Sequence, residues 1–309
     1  MSSVGDQLPQ PESAEVSATT PNRLSPDTKP MPWVPLAWFG ALLIATYFPI
    51  LKHLVEQWSN DADVGHGFFV PLVSGYIIWQ RRGQLMALEW KPAWWGLALM
   101  VWGGLQAYIG MLGAELFLQR TAFLESLLGL LLVLGGTALI RELIFPLILL
   151  LFMIPIPTVI YNQITFPLQL FASRVAETLL GLINIPVLRE GNVLELASQK
   201  LSVAEACSGI RSLLSLSFLS LVYAYFFDNK VWMRFALFIG VLPIAIIANA
   251  GRVTITGILS ERDPELARGF FHELEGFVIF AIAFAMLYVL HLVISFIYRW
   301  KFEKEAPVV

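Results

Sequence analysis

The sequence predicts an all-α fold: a polytopic membrane helical bundle of about eight transmembrane helices, with an interfacial helix and a small hairpin on its outer face. Three observations predict it. Of 309 residues, 57% are apolar and only 14% charged, and the mean hydropathy is +0.70, which belongs to an integral membrane protein and not a soluble domain. Apolar runs of membrane-crossing length recur along the chain. The lysines and arginines in the short connections fall after even-numbered runs.

Residues 1–30 carry Ser, Thr, Pro, Asp and Glu with few large apolar side chains, and read as a disordered cytoplasmic tail. No basic segment abuts the first apolar run, so a cleaved signal peptide is not expected and that run should stay as an anchor. The transmembrane domain then occupies residues 31–300, with 301–309 a second cytoplasmic tail. Its apolar runs lie at about 32–51, 66–80, 93–112, 122–140, 143–160, 209–227, 231–249 and 276–298. The 66–80 run is short for the ~17–25 residues a crossing needs, but it is counted, since Pro71 and Gly75 are tolerated inside a bundle. Phe166 to Ile185 is interrupted by Gln169, Arg174, Glu177 and Asn184, so it reads as an interfacial helix.

Arg81, Arg82 and Lys91 follow the second run, Arg141 the fourth and Lys230 the sixth, while Arg299, Lys301 and Lys304 follow the last. Both termini are therefore expected inside, with residues 52–65, 161–208 and 250–275 outside. In the second of these segments Glu190-Gly191-Asn192 is a turn signal, followed by strand-like Val193–Leu196, which with Leu201–Val203 reads as a hairpin delivering Cys207 to the sixth run. Asp263-Pro264 starts a short helix running towards His272.

Several classes of function are excluded. A net charge of −3 without a basic stripe gives no footprint for nucleic acid. A single cysteine leaves no internal disulfide and no Cys-x-x-Cys motif, and the four histidines lack zinc-site spacing, so no metal or cofactor is expected.

The candidates for chemistry all fall at outer mouths of apolar runs. Cys207 sits in Glu205-Ala206-Cys207-Ser208-Gly209-Ile210-Arg211, where a helix N-terminus and the Arg211 charge can both favour a thiolate. Arg252 follows Asn249-Ala250-Gly251 at the end of the seventh run, at a depth where a guanidinium needs a partner or an aqueous cleft. His272, followed by Glu273, Glu275 and Gly276, heads the last run and can exchange protons near neutrality. His66, beside Gly65 and Gly67, is the other histidine at an outer mouth. A nucleophile, a cation and a proton carrier on one face are the minimum set for acyl transfer from a peptide.

Ala206-Cys207-Ser208-Gly209-Ile210-Arg211-Ser212, Asn249-Ala250-Gly251-Arg252-Val253 and His272-Glu273-x-x-Gly276 resemble the three signature blocks of the exosortase/archaeosortase family. Gly65-His66-Gly67-Phe68-Phe69-Val70-Pro71 resembles its Ser-His-Gly-Phe-x-x-Pro segment, with Gly65 in place of Ser. The resemblance spans residues 33 to 298. It implies a membrane cysteine protease-transpeptidase of the Gram-negative inner membrane, its site facing the periplasm, linked to exopolysaccharide-associated surface sorting. Its partners would be exported proteins with a C-terminal tail of a Pro-Glu-Pro motif, one transmembrane helix and a basic cluster, with a lipid or glycolipid as a possible acceptor. Cys207, Arg252 and His272 would be catalytic, with His66, Glu205, Ser208, Arg211, Asn249, Glu273 and Glu275 as supporting or substrate-binding positions. The alternatives are a polysaccharide-export transporter or assembly factor in which Cys207 is structural, and a non-catalytic scaffold.

Overall fold

A computed structural model describes residues 31–203, 209–263 and 269–302, excepting the side chains of residues 209–211, 269–273 and 302. The expected disordered tail 1–30, the helix begun by Asp263-Pro264 and most of the 301–309 tail lie outside the described residues. The protein is all-α apart from one small sheet: α1 (Trp33–Thr46), α2 (Phe48–Asn60), α3 (Phe69–Gln80), α4 (Arg82–Met86), α5 (Trp95–Leu112), α6 (Leu116–Leu150), α7 (Thr158–Leu182), β1 (Val187–Glu190), β2 (Val193–Leu196), β3 (Lys200–Ser202), α8 (Gly209–Phe227), α9 (Val231–Arg262) and α10 (Gly269–Phe302).

Among the described residues four helices are long and apolar enough to cross a membrane, or five if the bent pair α1–α2 counts as one. The protein is a multi-span membrane helical protein, but eight separate crossings do not appear as eight long helices. α1 and α2 bend by 69° around Tyr47, where Pro49 enters α2 without an N–H to donate back. The 66–80 run is divided: Ala62–Phe68 is a 3₁₀ turn, and only the 12 residues of α3, about 18 Å, are α-helical. The runs at 122–140 and 143–160 merge into α6, whose end precedes Pro155 and Pro157.

The 35 residues of α6 would measure about 52 Å if straight, well beyond a ~30 Å hydrocarbon core. They are interrupted at Gly136, which has φ 74° and ψ −173°, a conformation essentially restricted to glycine. A Cβ there would also collide with the Lys91 carbonyl oxygen. The chain folds back there: Phe123, before Gly136, packs in one cluster with Leu149 and Met153, and Leu131 in another with Leu139 and Leu143, so the two arms run in opposite directions. On the first arm, Gly96, Gly103 and Gly110 of α5 meet Gly129, Ser126 and Gln119 in turn, so the α5 backbone approaches this arm closely with no side chain of its own in the way. On the second, His66, Ser74 and Arg81 bond Phe152, Pro146 and Glu142.

Pro146 has no N–H, so the Glu142 carbonyl one turn earlier has no helical donor, and Arg81 Nη1 donates to it at 3.1 Å. Arg81 Nε also donates to the Tyr225 hydroxyl at 2.7 Å, and the Tyr225 ring stacks on Phe145 at 4.4 Å. At the opposite end of these helices Trp58 Nε1 donates to the Met153 carbonyl at 2.9 Å, within a core of Leu54, Val64, Val70, Phe123, Leu149 and Phe218.

The hairpin expected from Val193–Leu196 and Leu201–Val203 is present as β2 and β3, and it belongs to an antiparallel sheet of order β1-β2-β3 whose first strand the sequence reading did not mark; Gly191, at φ 64°, turns β1 into β2. Leu194, Leu196, Leu201 and Val203 turn to one face and pack with Ala172, Ala176 and Leu180 of α7 and Ala250 and Val253 of α9. Alternation with period two fixes this, since a register slip would expose the four apolar side chains. α7 packs along α9 but, bearing Arg174 and Glu177, is not among the helices apolar enough to cross.

Candidate functional site

Arg252 belongs to α9, and α9 does not end at the Asn249-Ala250-Gly251 segment as the sequence suggested. It continues unbroken to Arg262. The residues 250–262 are less apolar than 231–249, but their backbone bonds are satisfied within the helix, and the last turns are tied to the sheet. Ser198 donates from both its backbone N–H and its hydroxyl to Glu261, at 3.0 and 2.9 Å, and Gln199 donates to Ser260. Among the described atoms nothing stands within 4 Å of a Cβ built on Gly251.

The close approach is instead at Gly276. The Arg252 guanidinium lies over it, with Nη2 3.4 Å and Cζ 3.6 Å from where a Cβ would be. Immediately before it, Glu275 is buried at 8% exposure. Thr256, one turn beyond Arg252 and fully buried, has its hydroxyl 2.9 Å from each Glu275 carboxylate oxygen and 3.0 Å from the Arg252 carbonyl. That hydroxyl has one proton, which it gives to one acceptor at a time. The Arg252 charge also acts on the Glu275 carboxylate. The result is a cation, a carboxylate and a hydroxyl held together between α9 and α10, in a setting where low local dielectric strengthens each interaction.

Glu275 and Gly276 were legible as candidates from the sequence; Thr256 was not. Its available signal was a polar residue four positions after Arg252, on the same face of a helix. Position 272 lies on α10 one turn before Gly276, on the face that meets Arg252. The side chains of His272 and Glu273 lie outside the described residues, as do Glu205, Cys207 and Ser208 and the side chain of Arg211. Asn249 is buried one turn before Arg252 and lines a small cavity with Leu168, Leu213, Leu242, Ala245 and Ile246.

His66 sits elsewhere. In the 3₁₀ turn ahead of α3, its Nε2 is 3.2 Å from the Phe152 carbonyl and its ring is 6.5 Å from Phe218. None of its contacts among the described residues reaches Arg252 or Glu275. Burial pushes its pKa below the usual histidine value, partly offset by the Phe152 hydrogen bond. Among the described residues no group of three or more His, Cys, Asp or Glu side chains could hold a metal ion.

Residues 58–289 match the family described as transmembrane exosortase (Exosortase_EpsH), a stretch that contains His66, Cys207, Arg252, His272 and Gly276. No curated protein and no solved structure matches the chain.

Proposed function

The chain belongs to the transmembrane exosortase family, and from that premise we propose that it is a membrane-embedded cysteine peptidase-transpeptidase of the bacterial inner membrane. It acts on exported proteins carrying a C-terminal tail of a Pro-Glu-Pro motif, a transmembrane helix and a basic cluster. The observation that carries the reading is the Arg252 guanidinium, held over Gly276 beside buried Glu275 and one helical turn from position 272.

In this scheme the Cys207 thiolate attacks the scissile carbonyl and forms a C–S bond as the carbonyl π electrons move to oxygen. Arg252 stabilises that oxyanion. Collapse of the intermediate breaks the C–N bond, and the amine leaves with a proton from His272. A water or an acceptor nucleophile then attacks the thioester, giving its proton to His272 and releasing the Cys207 thiolate. Glu275 and Thr256 act through Arg252 as positioning residues, since a buried carboxylate and its hydroxyl donor leave the guanidinium few other places to point.

Eight crossings fit the helix inventory when α1–α2, α3, α5, the two arms of α6, α8, α9 and α10 each count once. The opposed directions of the α6 arms support this count, and the basic residues after the even crossings support a periplasmic site. Reporter fusions after Gln199 and Glu261 should then read as periplasmic, and those after Gln84 and Lys230 as cytoplasmic. The test of the activity is coexpression with a tail-bearing protein, following tail removal by mass. Cys207→Ala should insert normally and leave the tail in place; cleavage above a few per cent of the parent rate would remove the assignment.

A further inference from the structure

β3 precedes the Cys207 segment in sequence, and among the described residues its outer edge pairs with no strand. In the β2–β3 ladder, Leu196 N–H donates to the Gln199 carbonyl and Val203 N–H to the Asn192 carbonyl, both at 2.9 Å, while Leu194 lies opposite Leu201. The alternation of an antiparallel pair therefore turns the backbone groups of residues 199, 201 and 203 towards β2, and those of Lys200 and Ser202 away from it. Among the described residues no partner meets these outward groups. β1 forms the other edge of the sheet, and β3 is the edge strand that precedes Cys207 in sequence.

The geometry points to this edge as a docking site for an extended peptide, which adds to β3 as a fourth strand and is thereby led to Cys207. The chemistry selects the occupant. Lys200 and Ser202 offer N–H and C=O pairs about 6.6–7 Å apart along the strand, the two-residue repeat of another extended chain and of no lipid or sugar. The apolar face of the sheet is already buried against α7 and α9, so an added strand gains its affinity from the main chain. Cys207 is five residues beyond Ser202, within about 17 Å even if that stretch is fully extended.

The inference rests on the peptidase reading for the identity of the peptide, and it deepens that reading in one respect. In an extended chain, residues two apart turn their N–H positions to the same side. The two prolines of Pro-Glu-Pro, which lack that donor, can thus both face solvent, as prolines of edge strands do. The central residue alone then presents its N–H and C=O to β3.

The test uses the full-length Cys207→Ala protein and a synthetic tail carrying Pro-Glu-Pro, a transmembrane helix and a basic cluster. Amide exchange at Lys200 and Ser202 should be fast without the peptide and slow at least tenfold when it is bound. N-methylation of the central Glu of the motif should weaken binding about tenfold. In the cysteine-containing protein, Ser202→Pro removes only an outward N–H and should raise KM for tail cleavage about tenfold. Protection of both amides before the peptide is added, or no change on its binding, overturns the proposal. Binding to Cys207→Ala is measured without bond cleavage, so edge protection in a protein whose parent never cleaves would refute the peptidase reading and leave the docking site standing.

Discussion

Gly276 is where the proposed geometry can be pushed by known amounts. A Cβ there would lie 3.4 Å from Arg252 Nη2 and 3.6 Å from Cζ, ordinary contact distances, so Gly276→Ala fits without moving the guanidinium. It should also stabilise α10 by about 0.5–1 kcal/mol, the usual gain of alanine over glycine inside a helix. Gly276→Val extends the same position by a further bond of about 1.5 Å in a side chain with little χ1 freedom. A methyl then enters the volume of the guanidinium and displaces it by about 1 Å, a misplacement that costs on the order of 100-fold in rate. Single-turnover tail cleavage should therefore give an alanine variant within about threefold of the parent and a valine variant about 100-fold slower, with thermal unfolding in detergent showing both folded. A valine variant that keeps a tenth or more of the parent turnover would refute the placement of Arg252 over Gly276 as the functional one. So would an alanine variant as impaired as the valine.

Arg252→Lys keeps the charge but loses the planar fork, and should lose about 100-fold in turnover while still binding the tail, measured as single-turnover acylation. Thr256→Val leaves the buried Glu275 carboxylate without its hydroxyl donor and should lower stability by about 1.5–3 kcal/mol in equilibrium unfolding, with Thr256→Ser recovering most of it. Gly136→Ala meets both a glycine-only conformation and the Lys91 carbonyl, and should lose more than about 3 kcal/mol or fail to accumulate, read from unfolding and from membrane yield. His66 has a folded pKa below the ordinary 6.5, so it stays neutral where the unfolded chain takes up a proton. Its contribution is undiminished above that value and declines as pH falls from about 6.5 towards the lower folded pKa, and His66→Gln should flatten that limb of a stability-against-pH curve.

The sequence by itself determined the class of molecule, most helix locations and the order of the motif blocks. Each is a local property: an apolar run of given length, a turn at Glu190-Gly191-Asn192, the two-residue alternation that buries Leu194, Leu196, Leu201 and Val203. It also singled out Arg252, Glu275 and Gly276, because charge and glycine are conspicuous at the end of an apolar run. The tertiary structure decided what these residues touch. That Gly276 receives the Arg252 guanidinium, that Thr256 binds Glu275, and that α9 continues past Gly251 all depend on how α9 and α10 pack. His66 was grouped with the others as a histidine at an outer mouth, yet it bonds Phe152 of a different helix pair. Gly136 has the same lesson for the fold: the apolar run continues through it, and only the Lys91 carbonyl lying where its Cβ would be shows why that position must be glycine and why the helix turns back there. Hydropathy sums over neighbours in sequence, whereas a close contact between two helices depends on the shape of both, and neither helix carries that information alone.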